Sequence, residues 1–389
     1  MNDPLFSIIV YTTTALVLAW LGRKVSQREA VSLRSGGGEL SVFSWEIVAL
    51  ALVYITVSSL RWLTSWDYNM YYGYFVSIQS LGDYTRENFE PLFALITYAL
   101  SHIGAHFSVY FAFWAITQVV LLLYAMRHRK ALLPWLALCI FLGPYYIFWM
   151  GFIRQSIVEA LFVLMVELIV RRKFWIYLLV TVVAMGIHRM CILFIPLYFV
   201  PLIPVPTRRR WLPIALLALC VLLGSFPHWL RVLFDHFGRF ADLLGYGHYY
   251  RLFMSNDLEY AFRSVIGPAR LCPLISCLMM VWYYPAMRVK FSHDTCFPAM
   301  FRFAVLYMCY INLFANTTQY LTRPGELMRT VFLVMICYTF HYLWQQRKWL
   351  PFIALCFLNF YYVFYEMAKA YISPSSIYVP AMYHTFLFG

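Results

Sequence analysis

Arg61, Asp67, Glu90, Arg154, His188, Arg323, Glu326 and Arg329 lie at or just beyond the ends of long apolar stretches. A charge beside hydrocarbon costs several kcal/mol unless it is paired or faces water, so such residues are candidates for function by default. The types suggest one kind of chemistry. A guanidinium binds phosphate through parallel N–H donors and stays charged, while a carboxylate or imidazole can take the proton of an attacking hydroxyl.

The spacing refines this. Arg61 precedes the pair Asp67-Tyr68 by six residues, so one loop carries a phosphate fork and a carboxylate, or else a local ion pair between the two. Phe89-Glu90-Pro91 follows. Arg154 falls in the first turn of a predicted helix beginning near Ile153-Arg154-Gln155, where the helix dipole disfavours a cation, so it needs a carboxylate or a bound phosphate nearby. Glu159 lies off the face of Arg154, whereas Glu167 and Arg171 have the spacing of a local ion pair. His188, in Gly186-Ile187-His188-Arg189, separates two apolar halves and suits either core packing or proton shuttling. Arg323 stands in Thr322-Arg323-Pro324-Gly325-Glu326, and Glu326 and Arg329 have the spacing of an intrahelical pair.

The elements that must position these residues are membrane helices. Apolar residues make up 63% of the chain and charged residues 12%, against about half and about a quarter in soluble domains. The net charge of +13 comes from short basic clusters between apolar spans, namely 23–34, 127–130, 171–173, 208–210, 288–290 and 347–348. They mark cytoplasmic loops and form no continuous surface for nucleic acid. The span beginning at Leu5 lacks a basic leader and a small-residue cleavage site, so it reads as a retained helix. With every cluster on one side, the chain is all-α and polytopic, with about 12 crossings. Two conditions follow. Pro91–Ala105 must be re-entrant or interfacial, and Phe174–Pro206 must be a hairpin turning at His188. The chain then forms a single transmembrane domain, residues 1–389. Segments 61–90 and 227–264 are extracytoplasmic loops that share a side with the isolated charges.

Several chemistries lack their signatures. Walker A, HExxH, DxD and GxSxG sequences are absent, and the nine cysteines show no metal-ligand spacing. No metal and no cofactor are expected.

In these residues the chain resembles the EpsG family of Wzy-like bacterial polysaccharide polymerases. The resemblance rests on Arg61, Asp67-Tyr68, Glu90-Pro91, Ile153-Arg154-Gln155, His188, Arg329 and Tyr378-Val379-Pro380 in that order. Where the family usually carries Gly-Thr or a similar small pair before Asp-Tyr, this chain has Ser65-Trp66. Where the family's arginine helix commonly continues with alanine, it has Val158-Glu159. The resemblance implies a multi-pass protein of the bacterial inner membrane with its site facing the periplasm or exterior. It implies glycosyl transfer from a polyprenyl-diphosphate-linked oligosaccharide to a second lipid-linked repeat unit, building exopolysaccharide, capsule or O-antigen. A chain-length regulator and a flippase would be its partners. In that role Arg61, Arg154, Arg323 and Arg329 bind diphosphate, and Asp67, Glu90 or His188 is the base, Asp67 first. Tyr68, Gln155 and Glu326 contact substrate. Two other classes fit the same residues less fully: a transporter or flippase of lipid-linked glycan, and a multi-span acyltransferase using His188.

Overall fold

The computed structural model describes residues 4–35, 38–41, 43–78, 89–202, 209–226, 267–316, 319–372 and 381–388. Loop 227–264 and Tyr378-Val379-Pro380 lie outside the described residues. The described chain is helical throughout. Its only bridge, Arg61 with Thr385, is isolated.

Two compact units are present, one formed by Met1–Tyr198 with Ile336–Gly389 and the other by Phe199–Met335. In the first unit, α1 (Pro4–Arg34) and α2 (Trp45–Ser59) lead to the short α3 (Tyr68–Ser77) and α4 (Pro91–His102), then α5 (Phe107–Ala125). The next helices are α6 (Leu133–Leu142), α7 (Tyr145–Gly151), α8 (Ile153–Val170) and α9 (Phe174–Met185). Here α1 packs on α2 and α6, and α5 packs on α2 and α8. α1 buries Tyr11, Ala15, Leu18 and Leu21 and leaves Leu5, Ile9, Leu16 and Trp20 exposed, the outward apolar face that hydrocarbon requires.

Length and composition suffice for a crossing in α1 and α5, or in four spans if each of two bent pairs counts as one. One bent pair is α6 with α7, which meet at 67°, in a stretch whose apolar sequence reads as one span. Gly143 and Pro144 stand at the break. The other is Trp349–Phe360 with Tyr362–Ile372, at 46°. The other apolar helices found among the described residues run 10–17 residues, shorter than a bilayer-spanning helix.

After α9 the chain turns at Gly186–His188 and doubles back. The Tyr177 hydroxyl donates to the Phe194 carbonyl at 2.6 Å, and the rings of Phe174 and Tyr198 lie 5.0 Å apart. α4 runs up to this bend, with the N–H groups of Leu92 and Phe93 donating to the Gly186 carbonyl at 2.8 and 3.0 Å.

The basic clusters 23–34, 127–130 and 171–173 are paired with acidic partners at one end of this unit. Arg28 pairs with Glu46 at 2.9 Å, Lys130 with Glu29 at 2.5 Å and His128 with Glu39 at 2.8 Å. Glu167 takes both Arg127 and Arg171 at 2.5 Å, the second as its spacing predicts. Glu46 is in the first turn of α2 and Arg171 follows α8, whereas Arg61 follows α2 and Arg154 opens α8. The two sets of charges therefore occupy opposite ends of the same helices.

In the second unit, α10 (Trp211–Ser225) packs on α12 (Phe297–Leu313), as does α11 (Pro268–Lys290). α13 (Gln319–Glu326) packs on α12 and precedes α14 (Arg329–Gln345), of which Arg329–Met335 belong to this unit.

Candidate functional site

Glu90 is where Arg154, His188 and Arg189 meet. It is the extended residue before α4, and its side chain is 5% exposed. Arg154 donates through Nη1 to Oε2. Oε1 accepts the Arg189 backbone N–H at 2.9 Å and lies 3.3 Å from His188 Nδ1 and 3.7 Å from Arg189 Nε. Burial alone would raise the Glu90 carboxyl, but the His188 hydrogen bond, the Arg154 charge and the Arg189 N–H hold it at about 2. It is an anion at any ordinary pH. The unfavourable position of Arg154 at a helix start is thus compensated by a carboxylate from another element.

Local chain geometry builds this junction. Gly186 faces α4 so closely that an added Cβ would sit 2.8 Å from Leu92 Cβ. The Arg154 guanidinium lies over the Phe89 ring at 4.6 Å and the Phe93 ring at 5.6 Å. Tyr71 of α3 interacts with it electrostatically and by hydrogen bond. Arg154 keeps 19% of its side chain exposed and His188 14%, so both reach the surface.

The loop from Arg61 to Asp67 is built differently. Arg61 is 1% exposed. Its Nη1 donates to the Ser58 carbonyl at 3.1 Å and to Met150 Sδ at 2.6 Å, and its Nη2 donates to the Met150 carbonyl at 3.3 Å. The Phe111 ring covers the guanidinium at 4.3 Å. This arginine ties the exit of α2 to the α7–α8 junction. Within the loop Leu63 and Ser65 have φ of 50° and 81°, a conformation costing on the order of 1–3 kcal/mol for a residue other than glycine. Ser65 stands where the resemblance places a small residue. Its hydroxyl donates to the Ile147 carbonyl at 2.8 Å, and a Cβ on Gly151 would run into that same oxygen.

Asp67 precedes the first turn of α3 and is half-buried. Tyr68 is fully buried, its ring stacked on Phe111 at 4.9 Å within an aromatic cluster that includes Tyr71, Phe93 and Trp114. Gln155 turns inward, its Nε2 donating to Glu159 Oε1 at 3.2 Å, and Glu159 is fully buried.

In the second unit Arg329 pairs with Glu326 at 2.9 Å. Glu326 ends α13 and Arg329 begins α14, so the pair bridges a break at Leu327-Met328 rather than lying along one helix. Arg323 is half-buried on α13. Sequence reasoning overlooked Arg270 in the first turn of α11, which donates through Nε to Asn312 Oδ1 at 3.2 Å. The signal was present, because it is the same unfavourable position for a cation as that of Arg154. Arg189 was also missed. Its nearness to His188 in sequence was visible, but its hold on Glu90 was not. No group of His, Cys, Asp and Glu suited to a metal ion occurs among the described residues.

The EpsG family matches over residues 45–380, most of the chain. The chain belongs to the EpsG family. That membership makes it a membrane protein of polysaccharide biosynthesis, in a family of Wzy-like polymerases, and the apolar helices agree. No curated protein and no solved structure matches the chain. Within this EpsG-family member the conspicuous constellation is therefore the one at Glu90, assembled from α4, α8 and the turn after α9.

Proposed function

We propose that the protein polymerises lipid-linked oligosaccharide repeat units into exopolysaccharide, capsule or O-antigen at the extracytoplasmic face of the inner membrane. The observation that carries this reading is the convergence of Arg154 and His188 on Glu90, at the helix ends opposite the basic clusters. The reaction is glycosyl transfer from polyprenyl diphosphate. An acceptor sugar hydroxyl attacks the donor's anomeric carbon, the bond from that carbon to the diphosphate oxygen breaks, and polyprenyl diphosphate leaves with the electron pair.

Arg154 is assigned to the departing diphosphate. Its guanidinium has five N–H donors, of which Nη1 supplies one to Glu90, and fixed positive charge stabilises the developing negative charge. Glu90, held at about 2, is too weak a base for the acceptor proton. It serves as the anion that orients the Arg154 guanidinium and the His188 imidazole. His188 takes the proton. With Nδ1 turned to Glu90, the transfer goes through Nε2, a carboxylate–imidazole arrangement in which the carboxylate fixes the tautomer. Asp67 is assigned to binding and orienting the acceptor, and Arg61 to holding its loop. Arg323 and Arg329 are second candidates for diphosphate, Arg329 by exchange of its Glu326 partner.

The test uses purified protein in lipid vesicles with lipid-linked oligosaccharide and no nucleotide. A ladder of lengthened glycans is expected. Translocated but unlengthened glycan would instead establish transport and defeat the polymerase reading.

A further inference from the structure

Residues 381–388 lie beyond the stretch matched to the family, yet Ala381, Met382 and Tyr383 are buried. The ties that hold this segment are specific. The Tyr11 hydroxyl donates to the Ala381 carbonyl at 2.9 Å and the Tyr383 N–H to Ser7 Oγ at 3.0 Å, so the segment is anchored on α1. α1 also lies outside the matched stretch.

From that anchor the segment reaches the Arg61–Asp67 loop. The Tyr383 hydroxyl donates to the Val57 carbonyl at 2.7 Å, in the last turn of α2. The Trp62 N–H donates to the His384 carbonyl at 2.8 Å, and the His384 N–H donates to Thr64 Oγ1 at 3.1 Å. Thr385 bridges to Arg61, and the Phe386 ring lies 5.1 Å from Phe107 at the start of α5. The loop so held contains the two left-handed residues Leu63 and Ser65. Such a backbone persists only where its surroundings over-determine it. Ser65 and Arg61 fix one side of the loop to α7, and the 381–388 segment fixes the other.

We propose that residues 381–388 form a positioning strap for the Arg61–Asp67 loop, with Tyr383 seating it on α1 and α2 and the backbone of His384 holding the loop through Trp62 and the Thr64 hydroxyl. The strap sets where Asp67 meets the acceptor sugar. This consequence rests on the polymerase reading, while the hold on the loop does not.

The experiment compares wild type, Thr64→Val, Thr64→Ser, Tyr383→Phe and a chain ending at Met382, each reconstituted as a monodisperse full assembly. Amide exchange is read in peptides covering 61–68, and turnover is read per folded molecule. Exchange at Trp62 should rise about tenfold or more in the shortened chain and in Thr64→Val. Turnover should fall about tenfold with little change in acceptor KM, since small displacements of positioning groups have effects of that size. Thr64→Ser keeps the accepting oxygen and should restore both. A strap that served only stability would lower the folded yield and leave turnover per folded molecule intact, and that result overturns the proposal. Unchanged exchange in Thr64→Val and the shortened chain overturns it as well. If wild type lengthens no glycan, the polymerase reading fails, and exchange alone then decides whether the strap holds the loop.

Discussion

Two arginines of one unit stand at the same end of its helices and are treated in opposite ways. Arg154 faces a carboxylate supplied by another element, keeps 19% of its side chain exposed and shares its anion with His188 and Arg189. Arg61 is 1% exposed and is held by two backbone carbonyls, a thioether and an aromatic face. An arginine with an exchangeable anionic partner at the surface can hand its charge to a diphosphate. One enclosed by carbonyl oxygens cannot do so without unpacking the α7–α8 junction. Residue type is the same in both cases, and the surroundings separate the proposed binding group from a tie.

Four variants probe that contrast, taken from the largest expected effect to the smallest. Arg154→Ala should lower glycan-lengthening turnover by about 10²–10³-fold, the usual loss when one preorganised charge donor is removed, with membrane insertion retained. Normal polymer yield from inserted protein would sink its assignment to diphosphate. Arg61→Ala should act on stability instead, by about 2–4 kcal/mol, because a large buried side chain is lost and two carbonyls lose their donor. Thermal unfolding in detergent measures it. Should folded Arg61→Ala lose turnover as Arg154→Ala does, the contrast between the two regions collapses.

Glu90→Gln tests the shared anion through pH. The folded carboxyl titrates at about 2 against an ordinary 4.5. Its ion network therefore contributes fully above the ordinary value and is lost as pH falls towards 2. Wild type should lose stability over that acid range, and Glu90→Gln should begin less stable and show a flatter acid limb. Equal acid limbs in the two proteins would place the anion's role elsewhere. The smallest effect belongs to Ser65→Gly. Relief of the left-handed backbone and loss of the Ser65–Ile147 hydrogen bond should nearly cancel, leaving a change within about 1 kcal/mol. A loss of several kcal/mol would mean that the hydroxyl, not the backbone shape, holds the loop.

Much of this was legible in the chain before any coordinates. The helix start at Ile153 and the need of Arg154 for an anion followed from position and the helix dipole. The Glu167–Arg171 pair followed from spacing. The family followed from an ordered set of individually weak residues. Other features were not legible for physical reasons. Glu90 and Arg154 are 64 residues apart, and local spacing says nothing about contacts at that separation. The role of Arg61 depended on Met150 and Phe111, which have no pattern relation to it. The bends at Gly143-Pro144 and Tyr361 are small features inside apolar runs, so hydropathy summed across them. The resemblance implied substrate contact for Tyr68 and Gln155, and their burial depends on which helix faces turn into the core.

Composition and basic-cluster placement by themselves determined that this is a helical membrane protein, because hydrocarbon admits few charges and each must be compensated. The order of its isolated charges determined the family. Which charges meet was decided only by tertiary structure. The turn at Gly186–His188 brings His188 and Arg189 to the start of α4, and the close approach at Gly186 sets Glu90 against Arg154. Pairing of buried charges depends on distance and desolvation in three dimensions, and neither is written in the spacing of residues along the chain.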